Sequence, residues 1–405
     1  MFNFQRLEDT DVKGKVVGVR VDINSPIIDG KVKLNDRIKA HSKTLRYLHE
    51  HDAKVVVLAH QGRKGDEDCV SLQAHGKMLS EILGFEVLFE NETYSEKVVE
   101  TISHLENGEV LLLENVRFLD DEKKPELPAN KILMLEKLFD IYVFDAFSNA
   151  HRADTSVVGF KNIPNVAGLV MEKELDGLNK ITSAPKPAIH VFGGAKADDL
   201  VEFIEQSLQK KTVDKVLLTG VIGDISLIAK GYPLGKKTQY LEEKELLEGP
   251  LSTLKRLLSL YPNKIFCPLD LAYAKDGERR EISVEELGAR GEELRENLVM
   301  DIGRKTVEAY TKLLSNAGSI YLKGPAGDFE EEAFQDGTKG IIKAIVNSKA
   351  FSYMGGGHSL TALNMFDDVT DFSYVSLAGG ALVYFLSGKE LPGIKALEES
   401  FQKFH

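Results

Sequence analysis

Arginine and histidine recur at short intervals through the first part of the chain, each time just after an apolar run. Arg20 is followed by Asp22 and Asn24, with Arg37 beyond the next turn. His60-Gln61-Gly62-Arg63 form a second group, Glu114-Asn115-Val116-Arg117 a third, and His151-Arg152 a fourth. Guanidinium groups present fixed forks of donors that match carboxylate and phosphate oxygens, so these residues brought together would bind a small, multiply charged anion. The alternative is that each arginine pairs with a nearby surface carboxylate, an arrangement that is common and weak.

The second half has glycines at the corresponding places: Gly193-Gly194-Ala195-Lys196, Thr219-Gly220, Lys323-Gly324-Pro325-Ala326-Gly327, and Gly355-Gly356-Gly357-His358-Ser359. Glycine lets backbone amides approach a phosphate, and a helix that starts there adds free N–H groups and the positive end of its dipole. A polyphosphate site is one reading, and a set of ordinary tight turns is the other. The chain has no GxxxxGK[ST] loop, GxGxxG fingerprint, HExxH or GxSxG. The histidines show no metal-ligand spacing. His49 and His51 face different sides of a helix, and His41, His75, His104 and His190 read as surface or core-edge residues. Cys69 and Cys267 form no CxxC pair; Cys69 sits in a polar loop and Cys267 in an apolar run.

Residues so spaced need strand ends to carry them. Short β-branched runs alternate with helical periodicity throughout, the pattern of parallel sheets covered by helices, in which ligands bind beyond the carboxyl ends of the strands. Strands are predicted at 15–21, 54–58, 86–89, 109–113 and 141–144, and then at 188–192, 215–218, 264–267, 319–322, 351–354 and 374–377. Ile38, Leu45 and Leu48 share one face of a helix that starts near Asn35 or Asp36, and Leu72, Leu79 and Leu83 mark another. At roughly 100–200 residues per domain, 405 residues make two. The predicted fold class is therefore α/β, with two doubly wound parallel-sheet domains facing each other across a hinged cleft. The expected organisation is a first domain at 1–166, a connecting hinge helix at 167–181, a second domain at 182–387, and a tail at 388–405 packing back on the first.

Fifty-one Lys plus Arg against 63 Asp plus Glu leave a net charge of −12, which disfavours a general grip on nucleic acid or anionic lipid. Two cysteines and a charged start fit a cytoplasmic protein, and no apolar run approaches the roughly 18 residues of a membrane helix. Neither a nucleic-acid nor a membrane partner is expected.

Taken in order, these groups resemble the phosphoglycerate kinase family over essentially the whole chain. The likeness runs through Arg20-Val21-Asp22-Ile23-Asn24, His60-Gln61-Gly62-Arg63, Leu113-Glu114-Asn115-Val116-Arg117-Phe118, Asp145-Ala146-Phe147 and Ala150-His151-Arg152-Ala153. It continues through Met171-Glu172-Lys173-Glu174-Leu175, Gly193-Gly194-Ala195-Lys196, Pro268-Leu269-Asp270, Asp301-Ile302-Gly303, Gly324-Pro325-Ala326-Gly327, Phe329-Glu330 and the glycine triplet.

The resemblance implies reversible phosphoryl transfer between 1,3-bisphosphoglycerate and ADP, giving 3-phosphoglycerate and ATP with Mg²⁺, by a monomer or homodimer that closes on its substrates. It implies that Asp22, Asn24, Arg37, His60, Gln61, Gly62, Arg63, Arg117 and Arg152 bind phosphoglycerate. Lys196, Lys323, Glu330, Gly355, Gly356, Gly357, His358 and Ser359 fall on the nucleotide side, with Arg37, Lys196 and the amides of Gly356 and Gly357 flanking the transferred group.

Departures cluster on the nucleotide half. His358-Ser359 stands where Asp-Thr is usual, as in archaeal members, which leaves the protein ligand of the metal unknown. Leu200 replaces a second lysine, Lys323 takes a place commonly held by Asn, and the stretch Gly220-Val221-Ile222-Gly223-Asp224 is altered. Two other readings stay open: a phosphoglycerate-binding protein without turnover, and a dinucleotide-dependent oxidoreductase lacking the usual glycines.

Overall fold

Val17, Val19, Val55, Val56 and Val57 are all fully buried, so both faces of the central strands are covered and their sequences run apolar rather than alternating. The computed structural model describes residues 2–367 and 371–405, with the side chains of residues 289, 290, 357 and 358 excepted. The chain divides into two compact units, Met1–Lys180 with Lys389–His405, and Ile181–Gly388.

In the first unit seven parallel strands lie in the order Gln5–Arg6, Asn165–Ala167, Ile141–Phe144, Val16–Arg20, Lys54–Leu58, Val110–Leu112, Val87–Phe89. The chain enters the sheet interior at Val16–Arg20, builds outward to one side and returns to the other. The strand order therefore reverses beside Arg20, which makes its carboxyl end the place for a ligand. Helix Asp36–Glu50 starts at Asn35, whose side chain accepts from the Ile38 amide at 3.0 Å, and it buries Ile38, Leu45 and Leu48. Helix Leu169–Thr182 starts later than the predicted 167 because Asn165–Ala167 is a strand, paired with Gln5–Arg6 and Ile141–Phe144 and too short to show an apolar run. The terminal helix Pro392–Phe404 packs on that strand and on Thr155–Val158. It buries Ile394 and Leu397, and its Ser400 hydroxyl accepts from the Asn165 amide at 2.7 Å.

The second unit repeats the plan with six parallel strands in the order Ile265–Phe266, Lys215–Leu218, Ala188–Phe192, Ser319–Lys323, Phe351–Gly355, Tyr374–Ser376, and the order reverses at Ala188–Phe192. It also contains an antiparallel sheet that the run-length reading did not separate: Glu278–Ser283, Asp270–Lys275 and Val299–Ile302. Its hairpin turns at Asp276-Gly277 with φ of 54° and 78°, and Asp29-Gly30 closes a smaller hairpin in the first unit with φ of 51° and 69°. Asp-Gly is the dipeptide that tolerates two successive positive φ values, so the local signal was present in both places.

Three of the histidines read as surface or core-edge are in fact core residues. His41 is 3% exposed against Asp145, His75 is fully buried against Gln61, and His190 is 3% exposed. Burial pushes His75 down to about 4 and His190, among Phe192, Phe203 and Tyr321, down to about 3. Both are neutral packing residues.

Candidate functional site

The carboxyl end of Val16–Arg20 is built around a buried guanidinium. Arg20, 1% exposed, donates from Nε to Ser156 Oγ at 2.8 Å and from Nη1 to the Val21 carbonyl at 2.6 Å, while Nη2 lies 2.9 Å from His60 Nδ1. Arginine carries no acceptor, so Nδ1 must accept, and the neutral ring keeps its proton on Nε2. Burial, followed by the charge of Arg20, holds His60 well below the usual histidine range. Ser156 in turn donates to Glu122 at 2.6 Å, so Arg20 is braced against a carboxylate that is 1% exposed. Arg20 entered the sequence reading only as part of a motif; its role depends on partners far along the chain.

Asp22 is 1% exposed. Burial would raise its carboxyl, but Arg37 at 3.0 Å and the hydroxyl of Ser148 bring it below the ordinary carboxylate range. Asn24 accepts from the Gly62 amide at 2.8 Å, and the Gly62 carbonyl accepts from Arg117 Nη1. Arg117 is 7% exposed, and its other terminal nitrogen, Nη2, is buried without a partner. Burial, with Arg152 and Arg20 nearby, lowers it to about 10, so it stays protonated at neutral pH. Among the described residues no carboxylate lies within ion-pair distance of Arg63, Arg117 or Arg152, although Arg37 has Asp22. A buried, protonated donor group without a counter-ion is the physical signature of an anion site.

The geometry thus interlocks Arg20, Asp22, Asn24, Arg37, His60, Gly62 and Arg117, with Arg152 in electrostatic range. Arg63 is exposed and makes no direct bond to them. Gln61 is fully buried. Its amide donates to the carbonyls of Ser25 and Asp68, and its oxygen meets the Ser25 amide and His75, so it ties loops together and leaves nothing over for a ligand.

In the second unit a cavity of about 600 Å³ opens beyond the carboxyl ends of Ala188–Phe192, Ser319–Lys323 and Phe351–Gly355. Lys196, Lys323, Glu330, Gly355, Gly356 and Ser359 all line it. Three helices, Ala197–Gln209, Gly220–Ala229 and Gly357–Phe366, begin at its wall with Lys196, Thr219 and Gly356 as their caps. Gly356 has φ +106° and ψ 146°, a region open to glycine and strained for any other residue. Ser359 accepts from the Gly324 amide at 2.8 Å, which fixes the Gly324-Pro325 turn against the helix start. Burial lowers Lys323, and Lys196 pushes it the same way while Asp199 opposes, so the two lysines share one field. Leu200, 1% exposed, supplies apolar wall where the resemblance led to a second lysine.

Lys237, which the sequence reading missed, also lines the cavity, as do Asp224 and Asp301, which entered that reading only inside longer motifs and with no role assigned. Lys237 Nζ sits 3.3 Å from Asp224 in a nearly buried pair. No local signal marks Lys237, because its partner Asp224 lies on a different helix. The side chain of His358 lies outside the described residues. Among the described residues no group of three or more His, Cys, Asp or Glu is placed to hold a metal, and no helix is long and apolar enough to cross a membrane.

A parallel sheet that gathers uncompensated guanidinium groups at one switch point, and another that turns helix starts and lysines into a cavity, define an enzyme of the phosphotransferase class. The comparisons with known proteins narrow this. The family profile described as Phosphoglycerate kinase matches residues 7–389. The chain is 41% identical to phosphoglycerate kinase of Methanococcus maripaludis over 99% of both chains, and 39% identical to that of Pyrococcus horikoshii over 98% of both. Superposed on the crystal structure of the Pyrococcus horikoshii OT3 enzyme it gives a TM-score of 0.88 at 37% identity, covering 99% of this chain and 100% of the other. Against the Coxiella burnetii enzyme the TM-score is 0.79 at 30% identity, covering 98% and 99%. The chain belongs to the phosphoglycerate kinase family, and archaeal proteins dominate among its relatives.

Proposed function

We propose that the protein catalyses reversible phosphoryl transfer between 1,3-bisphosphoglycerate and ADP, giving 3-phosphoglycerate and ATP, in cytoplasmic glycolysis or gluconeogenesis. The observation that carries this reading is the buried Arg117 donor without a partner, at the switch point of a chain whose net charge is −12. A cation kept unpaired there is matched by an anionic substrate. Arg152, Arg63, Arg37 and the Nε2–H of His60 would share the sugar acid's phosphate and carboxylate charge. The glycine-lined cavity would take the nucleotide, with Glu330 toward the ribose.

Phosphoryl transfer depends on in-line positioning and charge neutralisation more than on covalent chemistry. Arg37 would balance charge on the carboxyl and the moving phosphoryl oxygens. Lys196 and the amides of Gly356 and Gly357 would do so from the nucleotide side. Magnesium would enter as part of the nucleotide substrate, where it would neutralise phosphate charge. Ligands carried on separate units react only on closure, for which helix Leu169–Thr182, where the division between the units falls, is the proposed hinge.

The test is turnover of 3-phosphoglycerate with MgATP, coupled through glyceraldehyde-3-phosphate dehydrogenase to NADH loss, beside a folded Arg37→Ala variant. The expected result is turnover that falls by about a hundredfold or more in the variant. Phosphoglycerate binding without turnover in the unaltered protein would favour the binding-protein reading, through loss at the altered nucleotide loops.

A further inference from the structure

The segment between strand Ser319–Lys323 and helix Asp336–Val346 runs along the cavity wall and carries Glu330. It closes on a single carboxylate. Asp301, on strand Val299–Ile302 of the antiparallel sheet, has a fully buried side chain and reaches the cavity wall. Its Oδ2 accepts from the Gly337 amide at 2.8 Å and from Arg279 Nη1 at 3.0 Å. Its Oδ1 has no hydrogen-bond partner and lies against both Gly327 and Gly337, where a Cβ on either residue would collide with it. The loop thus begins and ends at glycines whose missing side chains leave room for the same carboxylate.

Arg279, on strand Glu278–Ser283, extends the hold. Besides Asp301 it donates to the carbonyls of Ala333 at 3.1 Å and Ile302 at 3.0 Å, and its guanidinium lies 5.7 Å from the centre of the Phe334 ring. The Asp328 amide adds another fixed point on the Met300 carbonyl at 2.7 Å.

We propose that Asp301 and Arg279 are positioning residues for the nucleotide: through Gly337 and Ala333 they pin the far end of the 327–337 loop, while Asp301 packs against its start at Gly327, so that Glu330 is presented at the cavity wall. The proposal rests on the reading of the cavity as the nucleotide site. It gives a role to the antiparallel sheet, which supplies both residues while lying outside the parallel one.

The charge on Asp301 is what the arrangement grips. Burial pushes its carboxyl up to about 6, against the pull of the Gly337 amide and Arg279. The other charged groups around the pair are Glu281, 3.3 Å from Arg279, Asp336 at 4.0 Å from it, Asp328 on the loop, and Asp270 on the neighbouring strand, whose carboxylate is held by the amides of Lys305 and Thr306. As pH falls through that value Asp301 gains a proton, the charge-assisted bonds to Arg279 and Gly337 weaken, and the loop loosens. Nucleotide affinity therefore falls with pH, beyond what protonation of the nucleotide itself causes.

The experiment is calorimetric titration with MgADP, and separately with 3-phosphoglycerate, of the full chain and its Asp301→Asn variant at about pH 7.5 and about pH 5.5, on either side of the shifted carboxyl. Asparagine keeps the shape between the two glycines and removes the charge. The expected result is MgADP affinity about tenfold weaker in D301N at the higher pH, with the two proteins converging at the lower one. Phosphoglycerate affinity should be unchanged. Protonation of ADP affects both proteins alike and cancels in their ratio. Arg279→Lys should retain part of the affinity that Arg279→Met loses, which keeps the test decisive if D301N fails to fold. A folded D301N whose MgADP affinity stays within about twofold of the parent at both pH values would overturn the proposal, as would a ratio independent of pH. If the unaltered chain binds no MgADP, the nucleotide reading of the cavity falls, and this proposal with it.

Discussion

His60 shows how much of a site can depend on a residue buried behind it. The Arg20 fork reaches Ser156, the Val21 carbonyl and His60 Nδ1 at once, so the imidazole is oriented and its tautomer assigned by one buried guanidinium. A lysine at this position has a single donor centre and cannot span the three partners. Arg20→Lys is therefore expected to raise the KM for 3-phosphoglycerate about tenfold while changing kcat less, as loss of an orienting contact should. Steady-state kinetics would show the split, and ¹⁵N NMR of the His60 ring would show two tautomers in place of one. At this scale the sequence was informative about residue types at strand ends. It could not separate Gln61, whose amide is spent inside the protein, from its neighbours in the same motif, because that depends on Ser25, Asp68 and His75 being within reach.

Among the elements, helix Leu169–Thr182 is held at its start by a residue from elsewhere in the sheet. Asp145, following strand Ile141–Phe144, accepts from the amides of Val170 at 2.8 Å and Met171 at 3.1 Å, and its other oxygen meets His41 at 3.0 Å. A carboxylate there satisfies two free N–H groups and the positive end of the helix dipole. Asp145→Ala should cost about 1–3 kcal/mol, read as a lower urea midpoint, with MgADP affinity unchanged because the cavity proposed for the nucleotide is built from the other unit. The helices with clear periodicity, such as Asp36–Glu50, were legible because burial of Ile38, Leu45 and Leu48 demands that spacing. The two Asp-Gly hairpins were missed because their flanking strands lack long apolar runs: the Glu278–Ser283 strand is mostly polar, and the smaller hairpin has only two residues on each side.

For the whole molecule, the last helix belongs structurally with the beginning of the chain. Leu397 is 1% exposed in the first unit, so Leu397→Ala should destabilise that unit by about 2–4 kcal/mol. Calorimetry should show an earlier transition that 3-phosphoglycerate moves upward again, while MgADP affinity stays as it was. A variant in which nucleotide affinity fell along with stability would place the helix in the wrong unit. The net charge of −12 acts at this scale too. It disfavours general polyanions, in keeping with the small ligand proposed for the cationic ends of the first sheet.

The sequence by itself determined the alternation of strand and helix, the two-sheet plan and the residue types at strand ends, because apolar periodicity and strand-end chemistry are local properties of the chain. The tertiary structure alone decided which of those residues share a site. The Arg20 bond to His60, the Arg117 bond to Gly62 and the Asp301 bond to Gly337 each join segments far apart in the chain. Burial sets the strength of such contacts, and burial is a property of the packed fold.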